Sequence, residues 1–376
     1  MTRQRICFLY IAQAHQVLHS LTVALELARH FPELEIEAAT TSQASYDYIE
    51  HLIPRLGGPA IRTRLLGPAW LRRGVTPPKV AMLAANLPLL SRYDAIVTPE
   101  RTTALVRKMG LRRQLLVYTQ HGAGDRGGPF EPRLAQFDLV FASGRKLFER
   151  MVGPGLVKPE NCAVVGYPKF DLVDALAPAR PPRLFAQDLP VVIYNPHFDP
   201  DISSWPRLGA RVLEAFAGDG RYNLIFAPHI RLFEGAGGGA LEALAPFRDH
   251  PRILLDLGGR AAIDMTYTSL ADVYLGDSSS QVYEFIRTPR PCVFLNAHRV
   301  AWQGEENYLN WTFGPVLETA ERLLDVIDGA RRDLARWRPA QEAAFRYSFD
   351  TQGPPASRRA AQAIADLVHK ADKPPG

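Results

Sequence analysis

The chain has 376 residues, 47% hydrophobic and 22% charged, a globular composition too long for one ordinary core, so two domains are expected. Its net charge of +5 suits anionic small molecules or an anionic membrane surface and argues against nucleic acid, which asks for a concentrated basic face. Cys7, Cys162 and Cys292 lack CxxC spacing, which argues against a zinc or redox motif and suits free thiols in a reducing cytoplasm.

The N-terminal apolar run is seven residues and is followed by Gln13 and His15, a pattern unlike a secretory signal. Strand-forming runs then follow at 5–11, 34–39, 94–98, 114–119, 137–142 and 162–166, and again at 191–195, 222–227, 252–256, 272–276 and 292–296. Most are continuously apolar, as strands covered on both faces are. Helical patterns separate many of them. After Ser20, a candidate cap, Leu21, Ala24, Leu25 and Ala28 recur at helical spacing. Alternation of this kind predicts parallel sheets with helices on both faces. It occurs twice, on either side of a proline-rich stretch. The expected organisation is therefore a domain at 1–175, a linker at 176–190, a second domain at 191–350, and a closing helix with its tail at 351–376. Two doubly wound Rossmann-like domains facing a cleft, with the last helix crossing back to the first, make an α/β architecture like that of the GT-B transferases.

Ligands of open α/β sheets bind beyond the carboxyl ends of the strands. Six histidines follow strands in this way: His15, His19, His121, His197, His229 and His298. In "HGAGDRGG" (121–128) His121 suits a general base with Asp125 as an orienting carboxylate. A surface turn is the competing reading. In "DSSSQVYEF" (277–285) Ser278 as N-cap with Gln281 makes a capping box, so that the amides of Ser279, Ser280 and Gln281 would face an anion. Glu284, one turn on, is placed for a ribose hydroxyl. A capped turn without a ligand fits equally well. Asp199 and Asp201 form an Asp-x-Asp, but the intervening Pro200 holds them in a turn, and no metal or cofactor is expected.

Six stretches resemble, in order, the CDP-glycerol glycerophosphotransferases, which build teichoic-acid-like polymers. They are "QHG" (120–122), "GYPKFD" (166–171), "APH" (227–229), "ADVYLGDSSSQVYEF" (271–285), "FGPVLETAERLLDVI" (313–327) and "GPPASRRAAQAI" (353–364). Departures are Gly276-Asp277-Ser278 where the family has Thr-Asp-Tyr, Ile230 for Pro, Lys169 for Arg and Phe313 for Pro. The resemblance implies a CDP-linked donor such as CDP-glycerol and a hydroxyl acceptor on a lipid-linked or polymeric carrier. It implies that His121 takes the acceptor proton, while His229 and the Ser278–Ser280 turn hold the pyrophosphate. Arg231, Tyr167 and Pro168 fall on the donor side, and His15 and His19 on the acceptor side. "DSSS…E" also resembles a motif of the UDP-N-acetylglucosamine 2-epimerases. Such an enzyme would need several acidic residues, and only Glu100 and Asp125 are suitably placed. A nucleotide-sugar glycosyltransferase and a non-catalytic nucleotide binder stay open. The stretch 70–93 mixes Arg72, Arg73, Lys79 and Arg92 with apolar residues, which suits a cytoplasmic protein bound peripherally to a membrane.

Overall fold

The computed structural model describes residues 3–72, 77–125, 130–234 and 241–372. Arg73 and the 126–128 part of the glycine-rich loop lie outside them. The chain forms two compact units. The first comprises Met1–His121, Gly128–Ala177 and Arg346–Gly376; the second comprises Gly122–Gly127 and Pro178–Phe345.

The first unit holds β1 (Arg5–Tyr10), β2 (Glu35–Thr40), β3 (Arg62–Leu65), β4 (Ala95–Thr98), β5 (Leu115–Tyr118), β6 (Leu139–Ala142) and β7 (Cys162–Val164). All pair in parallel, in the order β3-β2-β1-β4-β5-β6-β7. Parallel neighbours require crossovers, and α1 (Leu21–His30), α2 (Gln43–Arg55), α3 (Lys79–Leu90) and α4 (Arg145–Val152) lie between the strands, while α5 (Pro168–Leu176) follows β7. The inner strands β1, β4, β5 and β6 are largely buried on both faces, with Cys7, Leu9, Ile96, Leu116 and Val140 in one continuous core. β3 is an edge strand in which Arg62 and Arg64 alternate with Thr63 and Leu65. Its pattern is too polar to read as a strand, and Arg64 is held by the buried carboxylate of Glu37 on β2. Ser20 does not cap α1: its hydroxyl lies 3.1 Å from that of Tyr10 instead.

The second unit repeats the scheme with β8 (Val191–Asn195), β9 (Asn223–Phe226), β10 (Ile253–Leu255), β11 (Val273–Gly276), β12 (Cys292–Leu295) and β13 (Val316–Leu317). The order is β10-β9-β8-β11-β12-β13, again all parallel. Around it lie α6 (Trp205–Gly218), α7 (Arg260–Ile263), α8 (Thr266–Leu270), α9 (Gln281–Phe285), α10 (Leu323–Arg332) and α11 (Leu334–Ser348). Val212, Leu213 and Phe216 of α6 and Ile327 of α10 pack on Val192, Leu224, Val273 and Val293. In each sheet the strand order reverses once, between β1 and β4 and between β8 and β11. At such switch points the loops diverge and open a crevice at the strands' carboxyl ends.

The closing helix α12 (Ala356–Ala371) packs on α1 and α5 of the first unit. Two of the quoted motifs meet there. Gly166 has φ +85°, and a side chain on it would strike Arg359, the Asp350 carbonyl and Ala356. Asp171 accepts a hydrogen bond from the Ser357 amide at 2.6 Å, and the Ser357 hydroxyl meets Thr22 at 2.7 Å. "GYPKFD" and "PPASRR" are thus two halves of one lock.

Candidate functional site

The first unit gathers chemistry beyond β1, β4 and β5. A short 3-10 turn, Ala14–His19, follows β1 and carries His15, Gln16 and His19. The His15 and His121 rings lie 6.1 Å apart, centre to centre. His121 Nδ1 lies 2.6 Å from the Pro99 carbonyl. A carbonyl only accepts, so Nδ1 carries the hydrogen and Nε2 keeps the lone pair. Burial lowers the pKa of His121, and the Pro99 bond and the Glu100 charge offset this only in part. The ring is therefore neutral at pH 7, with a basic nitrogen. His19 is 4% exposed and is pushed well below its ordinary value, first by burial and then by Lys169 and the two neighbouring histidines.

Glu100 follows β4 and is also buried. Burial alone would raise its pKa. Lys79 at 2.7 Å and the Thr102 amide and hydroxyl at 3.0 and 2.8 Å overcome this and hold it at about 2. Lys79, expected on a membrane-facing stretch, reaches this cluster from the first turn of α3.

Asp125, expected to orient His121, belongs to the second unit and His121 to the first. Asp125 accepts hydrogen bonds from the Tyr283 hydroxyl through Oδ1 and from the Asn310 amide through Oδ2. Both oxygens are thus engaged inside the second unit, and the Pro99 carbonyl orients His121. Tyr167 and Pro168 were expected on the donor side. They belong to the first unit, whereas the serines and His229 belong to the second. Tyr167 is buried against His19, Phe170 and Phe349, and Pro168 opens α5, its carbonyl 3.4 Å from the Thr22 hydroxyl.

In the second unit two loops with the same Pro-His start leave β8 and β9 side by side. The His229 amide donates to the Pro196 carbonyl at 2.9 Å, and the His197 and His229 rings are 5.4 Å apart. In both, Nδ1 accepts a backbone amide, from Asp199 at 3.0 Å and from Arg231 at 3.2 Å. Each imidazole thereby has Nε2 as its N–H, the opposite tautomer to His121. Arg231 is exposed and stacks over Phe198 at 4.1 Å. His197 stood out in the sequence only as one loop histidine of six. Its partnership with His229 depends on the β8–β9 pairing, which spacing does not reveal.

Across the switch point, β11 ends at Gly276, and Asp277 follows it. Asp277 is fully buried, and its Oδ2 accepts the His197 and Ser204 amides at 2.8 and 2.9 Å. Oδ1 has no partner. Burial pushes this carboxyl up to about 7, against the opposing pull of the His197 amide and of the Ser204 hydroxyl and amide. The serine turn differs from the expected capping box. The Ser278 hydroxyl lies 3.0 Å from both the Asn307 carbonyl and Asn310 Oδ1. Ser279 is the side chain that accepts the Gln281 amide, at 3.2 Å, and Ser280 is the residue preceding α9. That helix has five residues, too few to add a sizeable dipole. Any anion here would be held by individual groups of the turn. Gly122 and Gly124 lie against Ser280, where a methyl at Gly124 would come within 3.3 Å of the serine Cβ. Glu284 is buried one turn further on, at 5% exposure. Asp199 is folded into a turn through the Asp201 amide. Among the described residues no group of three or more His, Cys, Asp or Glu is disposed to hold a metal ion.

Two parallel sheets with these strand orders can be compared with solved structures. A protein assigned as a UDP-N-acetylglucosamine 2-epimerase from Listeria monocytogenes superposes with a TM-score of 0.68 at 14% identity, covering 100% of this chain and 99% of that one. The wall teichoic acid polymerase TagF superposes at 0.63 and 13% identity over 98% of this chain and 89% of its own. The fold is GT-B. MnaA of S. aureus, solved with UDP, gives 0.67 at 13% identity, covering 97% and 96%. No protein-family model matches the chain, and no curated sequence does. At these identities the GT-B likeness is one of architecture.

Proposed function

We propose that the chain is a transferase that moves glycerol phosphate, or a similar alcohol phosphate, from a CDP-linked donor to a hydroxyl of a lipid-linked or polymeric acceptor. The observation that carries this reading is the pair of opposite histidine tautomers. His121 offers a lone pair at Nε2, as a base must, and His229 offers an N–H, as a phosphate ligand must. In the proposed step His121 Nε2 takes the acceptor's hydroxyl proton and the oxygen attacks the phosphorus that bears the glycerol. The new O–P bond replaces the bridging P–O bond, whose electron pair leaves with CMP. His229, Arg231 and the Ser278–Ser280 turn face the charge that grows on the leaving phosphate, and Glu284 takes the ribose. His15 and His19 flank the acceptor. The ordered motifs shared with CDP-glycerol glycerophosphotransferases favour this donor, and the neighbours include TagF structures soaked with CDPG.

The 2-epimerase reading draws on the epimerases among the structural neighbours. Against it, Glu100 is locked to Lys79 as a carboxylate and Asp125 is spent on Tyr283 and Asn310. Incubating the purified protein with CDP-glycerol and a glycerol phosphate oligomer tests the proposal. CMP release with lengthening of the oligomer is expected. Conversion of UDP-N-acetylglucosamine alone to its 2-epimer, or sugar transfer from a UDP-sugar with no response to CDP-glycerol, would overturn it.

A further inference from the structure

His121 owes its basic nitrogen to one carbonyl. The Pro99 oxygen takes the Nδ1 hydrogen, which leaves the lone pair on Nε2. That oxygen belongs to the Pro99–Glu100 peptide, a rigid plane in which C=O and N–H point in opposite directions. Whatever fixes the Glu100 N–H therefore aims the carbonyl at His121. The Thr98 hydroxyl accepts that N–H at 3.1 Å and lies 3.1 Å from the Thr103 hydroxyl. Both threonines are fully buried. Pro99 has no N–H of its own, and its ring restricts φ, so the turn keeps little freedom.

The Glu100 side chain secures the far end of the same peptide. Oε1 accepts the Thr102 amide and hydroxyl at 3.0 and 2.8 Å, and Oε2 accepts Lys79 at 2.7 Å and, more loosely, the Gln16 side-chain amide at 3.5 Å. These partners come from three elements: the 3-10 turn Arg101–Arg107, α3 and the 3-10 turn Ala14–His19. Capping a turn asks only for the Thr102 amide. An apolar side chain would fill the same space without needing any of these donors. A second sign lies on the other side of the ring. Gln120 has φ +61°, a left-handed conformation that residues other than glycine rarely adopt, and its side-chain amide donates to the Phe141 carbonyl at 2.9 Å. Strain of this kind persists only where the surroundings impose it, and it gathers at functional sites. His121 is thus constrained through the backbone before it and through the carbonyl that faces it.

We propose that Thr98, Glu100 and Lys79 are positioning residues that fix the tautomer of His121 by clamping the Pro99–Glu100 peptide. None of the three touches the reacting atoms in the proposed step. The inference rests on His121 as the base, but its main readout, the position of the ring hydrogen, needs neither donor nor acceptor. It therefore decides the inference even where CDP-glycerol gives no turnover. Nitrogen-15 NMR of histidine-labelled protein reads that position, with the His121 signals assigned by their loss in His121→Gln. At about pH 8, where the imidazole is neutral, the wild type should carry the hydrogen on Nδ1. Thr98→Val keeps the shape and removes the hydroxyl, and it should shift the hydrogen at least partly to Nε2. Thr98→Ser keeps the hydroxyl and should retain the wild-type pattern. Lys79→Met releases one oxygen of the clamp and should give a mixture. Lys79 is 30% exposed, so this variant keeps the test decisive should Thr98→Val not fold. In turnover of CDP-glycerol, Thr98→Val should lower kcat by about ten- to a hundredfold, part of the roughly 10²–10⁴-fold that a general base contributes, with CMP affinity unchanged. Variants folded by circular dichroism that keep the wild-type tautomer would overturn the inference. So would a Thr98→Ser protein that loses the tautomer as fully as Thr98→Val.

Discussion

Asp277 illustrates how a single residue can serve two demands. It ties the β8 loop to the end of β11 by accepting two amides through one oxygen, and its other oxygen is buried without a partner. The proton of its neutral form therefore belongs on Oδ1. With its folded pKa raised to about 7, the carboxyl favours folding most below its unfolded value and loses that advantage as pH rises through 7. The free energy of unfolding should then decline between about pH 4 and 7, by about 1.4 kcal/mol for each unit of displacement. Asp277→Asn should flatten that decline in urea titrations across the range; an identical slope in wild type and variant would contradict the assignment. At this scale the sequence was partly legible. Histidines after strands marked the right loops, but tautomers depend on groups that spacing cannot identify. The Pro99 carbonyl orients His121, and the Arg231 amide orients His229. Asp125 reads as a partner of His121 because it is four residues away, and its bonds to Tyr283 and Asn310 are invisible to spacing.

Among the elements, the apolar strand runs were legible because strands covered on both faces leave little freedom for polar residues. β3 and β13 were not. β3 lies at a sheet edge with arginines in alternation, and β13 is two residues long. The motifs also divide by role at this scale. Gly166, Asp171 and Ser357 are tied together in the lock beneath α12. Gly314 belongs to the same class. Its backbone is extended, so conformation does not demand glycine; a Cβ there would sit 1.9 Å from the Cys292 carbonyl on β12. Gly314→Ala should push β12 and the loop before β13 apart and cost about 1–3 kcal/mol, or more if the backbone cannot shift. Calorimetry should find the melting temperature lowered by about 2–4 °C per kcal/mol. An unchanged melting temperature would show that the close approach is not tight in solution.

For the molecule as a whole, the doubled α/β pattern made the two-sheet GT-B architecture readable, because two alternating series separated by a proline-rich stretch leave few other solutions. What composition hid was the excursion of the chain. Gly122–Gly127 joins the second unit from within the first half, whereas the return of the chain to the first unit, at Arg346, was expected of the closing helix. The proposed function divides labour along the same line: acceptor chemistry on His121 and donor binding on His229 with the serine turn. Titration of CMP and CDP-glycerol by calorimetry, on His121→Ala and His229→Ala beside the wild type, tests that division most directly. A charge-assisted hydrogen bond to phosphate contributes about 1.5–3 kcal/mol, so His229→Ala should raise the nucleotide dissociation constant by roughly ten- to a hundredfold. His121→Ala should leave it nearly unchanged while lowering kcat by roughly 10²–10⁴-fold. Loss of nucleotide binding in His121→Ala with binding intact in His229→Ala would contradict the account.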